Sequence, residues 1–363
     1  MARNLRWLFR VLIRDWCSQC YTLIMEAIET PPDRDALLTH RALQCAATEL
    51  GANVSDLQIT SVSGGFSRNR RALVSAGDKT IFVKEVDIDV LPGEGERELA
   101  WLKKDYEVMR MLQEIHPQYV TDWAKLAGDG YVLMTSSYAS SDGWLWQPPA
   151  EKSMAERYIS AVVTATRELE KTELPHEVVE ELQLQPFTTA ELGLDGGIDR
   201  IIAEADVRRQ LIDNYRTLLP EQSEANQRRC QKMIRLLNER DELADISVRA
   251  KQFVKQPEDC FDHSDLRSDN LAFQPQTGEL KLVDWNWASY APRGSGATEF
   301  LVDMARHGHD VTLWLDELNT EMLAAFIGFY LIRSLKPPLQ PGDTLRQMQA
   351  LSAATAYDLL ERT

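Results

Sequence analysis

The chain has 363 residues, 56 acidic against 40 basic, a formal net charge of −16 and 44% hydrophobic residues. That length holds two domains or one large two-lobed unit, and the charge argues against a general binder of nucleic acid or anionic membrane while suiting a cationic ligand. The five cysteines, Cys17, Cys20, Cys45, Cys230 and Cys260, are odd in number and scattered. Such usage is unlike a disulfide-stapled secreted domain and points to a reducing, cytoplasmic setting.

Residues 5–28 are apolar but carry Arg6, Arg10, Arg14 and Asp15, so they lack the unbroken apolar run of a membrane span. They read as an amphipathic helix that covers another surface or a second subunit, with a homodimer as one option and membrane association as the lesser one. Cys17 and Cys20 on it form a CxxC with no second pair to complete a zinc site. After a proline-marked linker, residues 36–50 read as a helix ended by Gly51. Residues 57–87 then hold three β-rich runs, broken at Gly64-Gly65 and at Gly77-Asp78, the pattern of an antiparallel meander.

Residues 94–115 are helical in pattern, and GYVLMTSSY is an apolar strand running into a polar connector. From 151 to 256 helical patterns dominate, interrupted near Pro175, Pro186, residues 193–197 and Pro220. The segment FDHSDLRSDNLAF (261–273), a hairpin and three helices complete the chain. No internal repeat is visible. The expected fold is α+β, with a helical extension (1–50), a small antiparallel-sheet lobe (51–137) and a larger, mainly helical lobe (138–363).

The hairpin carries the chemistry. Residues 271–274 and 280–283 are short apolar runs joined by PQTGE, so they should pair about a turn centred near Thr277. Asn270 and Asp284 flank the two runs and each lies seven residues from Thr277, which sets them side by side. An amide oxygen and a carboxylate at one edge suit Mg²⁺, which usually completes its shell with water and substrate phosphate. Asp265, in the loop feeding the hairpin, is placed to accept a proton from a hydroxyl. Loop capping is the competing account for Asp269, which is equally suited to pairing with Arg267.

HSDLRSDN followed by LVDWNWAS resembles the catalytic and metal-binding segments of the protein-kinase-like superfamily, most closely its aminoglycoside phosphotransferase-like branch. The resemblance implies a bilobal kinase-like fold, with Asp265 as catalytic aspartate, Asn270 and Asp284 as Mg²⁺ ligands and His263 as a support of the loop. Ser264 stands where that family usually has glycine. Farther along, GATEFLVDMARHG places Asp303 where the family has a helix aspartate that supports the catalytic loop.

Upstream, Lys84 interrupts IFVKEV and shares a strand face with Phe82 and Val86; a half-buried strand lysine calls for an anion. GGFS with GDKTIFVKEV resembles the family's glycine-rich loop and third strand. This implies nucleotide contacts from Gly64, Gly65 and Ser67, a phosphate contact from Lys84, and a carboxylate partner for Lys84 at Asp105, with Glu98 as the alternative and Glu107 facing away. LMTSSY, with Met134 and Ser136, would receive an adenine ring on its backbone. Asp303 follows Asp284 by only nineteen positions, too few for a peptide-docking segment, so a small-molecule acceptor is favoured.

The expected activity is ATP- and Mg²⁺-dependent phosphorylation of a hydroxyl on a small molecule, with a cationic acceptor as one option. Its rival is a catalytically silent nucleotide-binding module acting in assembly. Trp144, Trp146, Trp285 and Trp287 are candidates either for a pocket wall or for simple packing.

Overall fold

A computed structural model of the protein describes residues 38–62, 69–87, 95–190, 197–338 and 344–363. The expected helix over residues 5–28 lies outside them, as do Gly64, Gly65 and Ser67. All the described residues belong to one contact unit, Leu37–Thr363.

Helix α1, His40–Leu50, begins later than residue 36 because Thr39 caps it: its backbone is extended and its hydroxyl accepts the Ala42 N–H. Gly51, at φ +67°, ends it as expected. Ala42, Ala46 and Leu50 recur every four residues and are buried, giving the helix one apolar stripe. That stripe covers a sheet built from β1 (Gln58–Ser61), β2 (Arg70–Ala76), β3 (Lys79–Glu85), β4 (Ala124–Ala127) and β5 (Val132–Ser136). The strand order is β1-β2-β3-β5-β4, antiparallel throughout. Strand β4 was not anticipated, since AKLA is too short and weakly apolar to announce itself.

Alternation decides which side chain faces which layer. Val74, Ile81, Val83, Val132 and Met134 point to α1, so Lys84 points to the opposite face. Helix α2, Gly95–Ile115, lies there, burying Glu98, Leu102, Asp105, Met109 and Leu112 along one stripe.

The helical lobe follows, with α3 (Lys152–Leu169), short helices at His176–Glu181, Phe187–Ala190 and Gly197–Ala203, then α4 (Ala205–Leu218), α5 (Glu224–Leu236) and α6 (Arg240–Phe253). Two small antiparallel pairs come next: β6 (Cys260–Asp262) with β9 (Ser289–Ala291), and β7 (Leu271–Phe273) with β8 (Leu280–Leu282). Helices α7 (Ser295–Arg306), α8 (Thr320–Ser334) and α9 (Leu345–Leu360) close the chain. The arrangement is the expected two-lobed α+β fold. Among the described residues no helix is long and apolar enough to cross a membrane.

One register differs from the sequence reading. Leu271 faces Leu282 and Phe273 faces Leu280, which sets Asn270 opposite Val283, not Asp284; the Val283 N–H donates to the Asn270 carbonyl at 3.0 Å. The cause is the loop. Gln274 and Glu279 still pair, and Gly278, at φ +81°, returns its N–H to the Gln274 carbonyl. An even number of residues is left between them, so no residue stands at the apex.

Candidate active site

The junction of the two lobes is built around one cation. Lys84 Nζ donates to Asp105 Oδ2 at 3.0 Å and to Asp284 Oδ1 at 2.6 Å. Of the two expected partners on α2 the lysine therefore meets Asp105, while Glu98 lies 3.9 Å from the Arg97 guanidinium and Glu107 pairs with Arg110 at the surface. The missing methylene of aspartate is compensated by the close approach of α2, which also lets Asp105 Oδ1 accept the Trp285 N–H at 2.9 Å. Lys104 Nζ adds a bond to the Ala288 carbonyl at 2.8 Å, and the rings of Trp101 and Trp287 lie 5.3 Å apart. Helix α2 is thus fastened to the segment that carries Asp284.

One ammonium between two carboxylates cannot neutralise both. Burial opposes charge on Lys84, but Asp105 and Asp284 outweigh it and raise the lysine pKa. Burial, assisted by the Asp284 charge, pushes the Asp105 carboxyl up against the pull of Lys84. For Asp284 burial works the same way, yet the charges of Lys84 and Arg71 prevail and hold it down at about 2. Asp284 is also the more open of the two, its side chain 23% exposed against 3% for Asp105. It is therefore the carboxylate available to an incoming ion.

Asp284 stands at φ +66°, so the chain leaves strand geometry there and turns its carboxylate to Lys84. Among the described residues only four that are not glycine have positive φ, and two of them, Ser264 and Asp284, bracket this site. Such strained positions concentrate at functional sites. His263 braces the turn. Its buried ring lies 4.5 Å from that of Trp285 and its Nε2–H donates to the Val283 carbonyl at 2.9 Å. Burial lowers its pKa to about 4 and keeps it neutral.

Asp265 is joined to the hairpin through Asn270, whose Nδ2 donates to the Asp265 carbonyl at 2.8 Å and to its carboxylate Oδ2 at 3.2 Å. With its amide nitrogen engaged, Asn270 has its Oδ1 left as the atom for a cation. Arg267 sits between two carboxylates, 3.5 Å from Asp265 Oδ1 and 3.2 Å from Asp269 Oδ1. Asp269 is thus the Arg267 partner that its spacing allowed.

The loop is pinned to one face of α7. The Leu266 N–H donates to Glu299 Oε2 at 3.0 Å, and the N–H and hydroxyl of Ser268 donate to Asp303 Oδ2 at 2.9 and 2.7 Å. Burial would raise the Asp303 pKa, but Arg306 and His307, with the Ser268 donors, bring it below the ordinary value. A third carboxylate, Asp262, holds Ser264 at the N-terminal end of the same helix.

Met134 and Ser136 fall on β5, flanked by β3 and β4. The Met134 side chain is buried in the sheet core, and the Ser136 N–H donates to the Trp123 carbonyl, so that donor belongs to the sheet. Trp285 is fully buried and Trp146 Nε1 donates to the Tyr138 carbonyl at 2.7 Å; both are packing residues. Sequence reasoning missed Arg71, which faces Lys84 directly across β2 and β3, as well as Asp262 and Glu299. Arg71 was detectable, being a cation in the β run that neighbours the Lys84 strand. Asp262 and Glu299 bind mainly backbone N–H groups, which leave no mark in a sequence.

The chain matches no family model, and its sequence matches no curated protein. Solved structures that resemble it include an aminoglycoside-3'-phosphotransferase of type VIII, at 19% identity and TM-score 0.41, covering 89% of this chain and 100% of that one. A choline kinase from Streptococcus pneumoniae is 12% identical with TM-score 0.46, covering 88% and 99%. An ethanolamine kinase from Plasmodium vivax is 14% identical with TM-score 0.48, covering 86% of each chain. At these values the likeness concerns chain path and carries no argument about acceptor or chemistry.

Proposed function

We propose that the protein is an ATP- and Mg²⁺-dependent phosphotransferase acting on a hydroxyl group of a small molecule. One observation carries the reading: a continuous bonded path runs from Asp265 through Asn270 and Val283 to Asp284, Lys84 and Asp105. It supports a site in which a proton acceptor, an amide oxygen, a carboxylate and a cation meet at one junction of the lobes.

The donor set fits Mg²⁺. Among the described residues no group of three or more His, Cys, Asp or Glu side chains could hold a metal, so a cation here would rest on Asn270 Oδ1 and the Asp284 carboxylate and take its other ligands from phosphate and water, as Mg²⁺ commonly does. Bound there, the ion would offset negative charge on the phosphates. Lys84 would fix those phosphates, and Asp265 would orient the acceptor hydroxyl and take its proton at the carboxylate. Asp105 keeps Lys84 extended, and α7 keeps the loop from shifting. This is catalysis by position and charge.

Between Asp284 and α7 the chain is occupied by the turn Trp285–Trp287 and by β9, which supports a small acceptor over a peptide. Asp265 and Asp269, 28% and 36% exposed, both lie beside Arg267; two partly open carboxylates in this loop favour an acceptor bearing an amine. A cytoplasmic setting suits ATP as donor, and Cys45, Cys230 and Cys260 are free thiols. Titration of ATP with and without Mg²⁺ into the wild type and Asp284→Asn tests the reading: Mg²⁺ should tighten binding in the wild type and not in the variant. Equal tightening in both would remove Asp284 from the metal.

A further inference from the structure

Ser264 precedes Asp265 and stands at φ +60°, the left-handed region that glycine enters freely and a residue with a Cβ does not. Something must hold it there. Its N–H donates to Asp262 Oδ1 at 2.6 Å, its hydroxyl reaches the same oxygen at 3.1 Å, and that hydroxyl also meets Ser289 Oγ at 2.6 Å. Ser289 is the cross-strand neighbour of Asp262 in the β6–β9 pair, so the Ser264 hydroxyl bridges the two strands beside the turn. The other Asp262 oxygen is seated on the start of α7, where a Cβ on Gly296 would come within 2.5 Å of it. Asp262, Ser264 and Ser289 are all buried.

We propose that Asp262 is a positioning residue of this site: it holds Ser264 in the left-handed conformation and thereby aims Asp265 at the acceptor hydroxyl. It contacts neither Lys84, Asp284 nor Asn270 by hydrogen bond, and its bonds to Ser264 give it the shortest route to Asp265. A purely structural role for Asp262 would stabilise β6 whichever residue stood at 264. A positioning role makes Asp262 dispensable once residue 264 needs no holding.

The test is the set Asp262→Ala, Ser264→Gly and the double variant, each measured for ATP turnover and for affinity toward a fluorescent ATP analogue. The inference rests on the phosphotransferase reading, and wild-type protein that binds no nucleotide would sink that reading first. With an active wild type, Asp262→Ala should lose about 100-fold in kcat, the cost of a misplaced reacting group, at nearly unchanged nucleotide affinity. Ser264→Gly should stay near wild type, and the double variant should recover most of the loss. A double variant as impaired as Asp262→Ala, or an Asp262→Ala protein as active as wild type, overturns the proposal. Should Asp262→Ala fail to fold, Asp262→Asn takes its place in both backgrounds. The melting temperatures give a reading independent of activity: the drop caused by the Asp262 change should be larger with Ser264 than with Gly at that position, and equal drops contradict the proposal.

Discussion

Lys84 Nζ lies 2.6 Å from Asp284 Oδ1, a bond between residues 200 positions apart that ties the sheet lobe to the end of the hairpin. With Asp105 it makes a buried triad of one cation and two carboxylates. Breaking such a group from one side leaves charge without compensation. Lys84→Met should therefore lower stability by about 3–5 kcal/mol, and adding Asp105→Leu should return part of it, because fewer charges are then stranded. Chemical denaturation of the single and double variants measures both. A double variant less stable than Lys84→Met would show that Asp105 has a larger role than pairing.

Arg71 faces Lys84 across β2 and β3, and directly opposed residues share a face. Its charge reaches the site, since it helps hold the Asp284 pKa down. Arg71→Met is expected to weaken ATP binding by about tenfold, or about 1.4 kcal/mol, while leaving adenosine affinity unchanged. Equal losses for both ligands would place Arg71 with the base or with the fold, away from the phosphates.

His263 supplies a pH dependence with a definite sign. Its folded pKa is near 4, below the ordinary value of about 6.5 for an unfolded histidine. Between those values the unfolded chain binds more protons, so stability should be full above about pH 6.5 and fall as pH drops toward 4, by up to about 3 kcal/mol. In His263→Gln, which retains a donor for the Val283 carbonyl, that part of the slope should vanish. Parallel profiles for the two proteins would mean that other groups set the acid limit.

Asp303 receives the N–H and hydroxyl of Ser268. Asp303→Ala leaves both donors buried without an acceptor, at about 1–3 kcal/mol for each such group, and it frees one of the ties between loop and α7. Turnover should fall more than nucleotide affinity does, and a comparison of kcat with nucleotide Kd shows the split. Loss of affinity alone would argue against the loop as its target.

Much of this site was legible because the sequence spacing ties its residues to short, strongly patterned elements. Asn270 and Asp284 flank one hairpin, Asp265 lies in the loop that feeds it, and Lys84 stands out as a charge in an apolar strand. What escaped was conformational. The hairpin register turned on how Gly278 closes the loop, so Asn270 meets Val283. The left-handed turn at Asp284, which carries its carboxylate out of strand alternation, has no sequence signal because aspartate visits that region only occasionally. Ser264 did raise the question of backbone conformation, and its answer lay in Asp262, a neighbour whose partners are a backbone N–H and a hydroxyl. Strand β4 was lost for want of length, and the role of residues 5–28 lies outside the described residues.

On the proposed function, Asp265 takes a proton from an alcohol while phosphate is transferred. That role is tested by ATP-dependent phosphate incorporation into a panel of hydroxylated amines, sugars and nucleosides by wild type and by Asp265→Ala, with nucleotide affinity measured in parallel. Wild type should phosphorylate at least one acceptor, and the variant should bind nucleotide as well but turn over about 100-fold or more slower, the range of general-base catalysis. An Asp265→Ala protein that transfers phosphate as fast as wild type, or a wild type that binds ATP with Mg²⁺ and phosphorylates nothing, would rule out Asp265 as the base of a phosphotransferase.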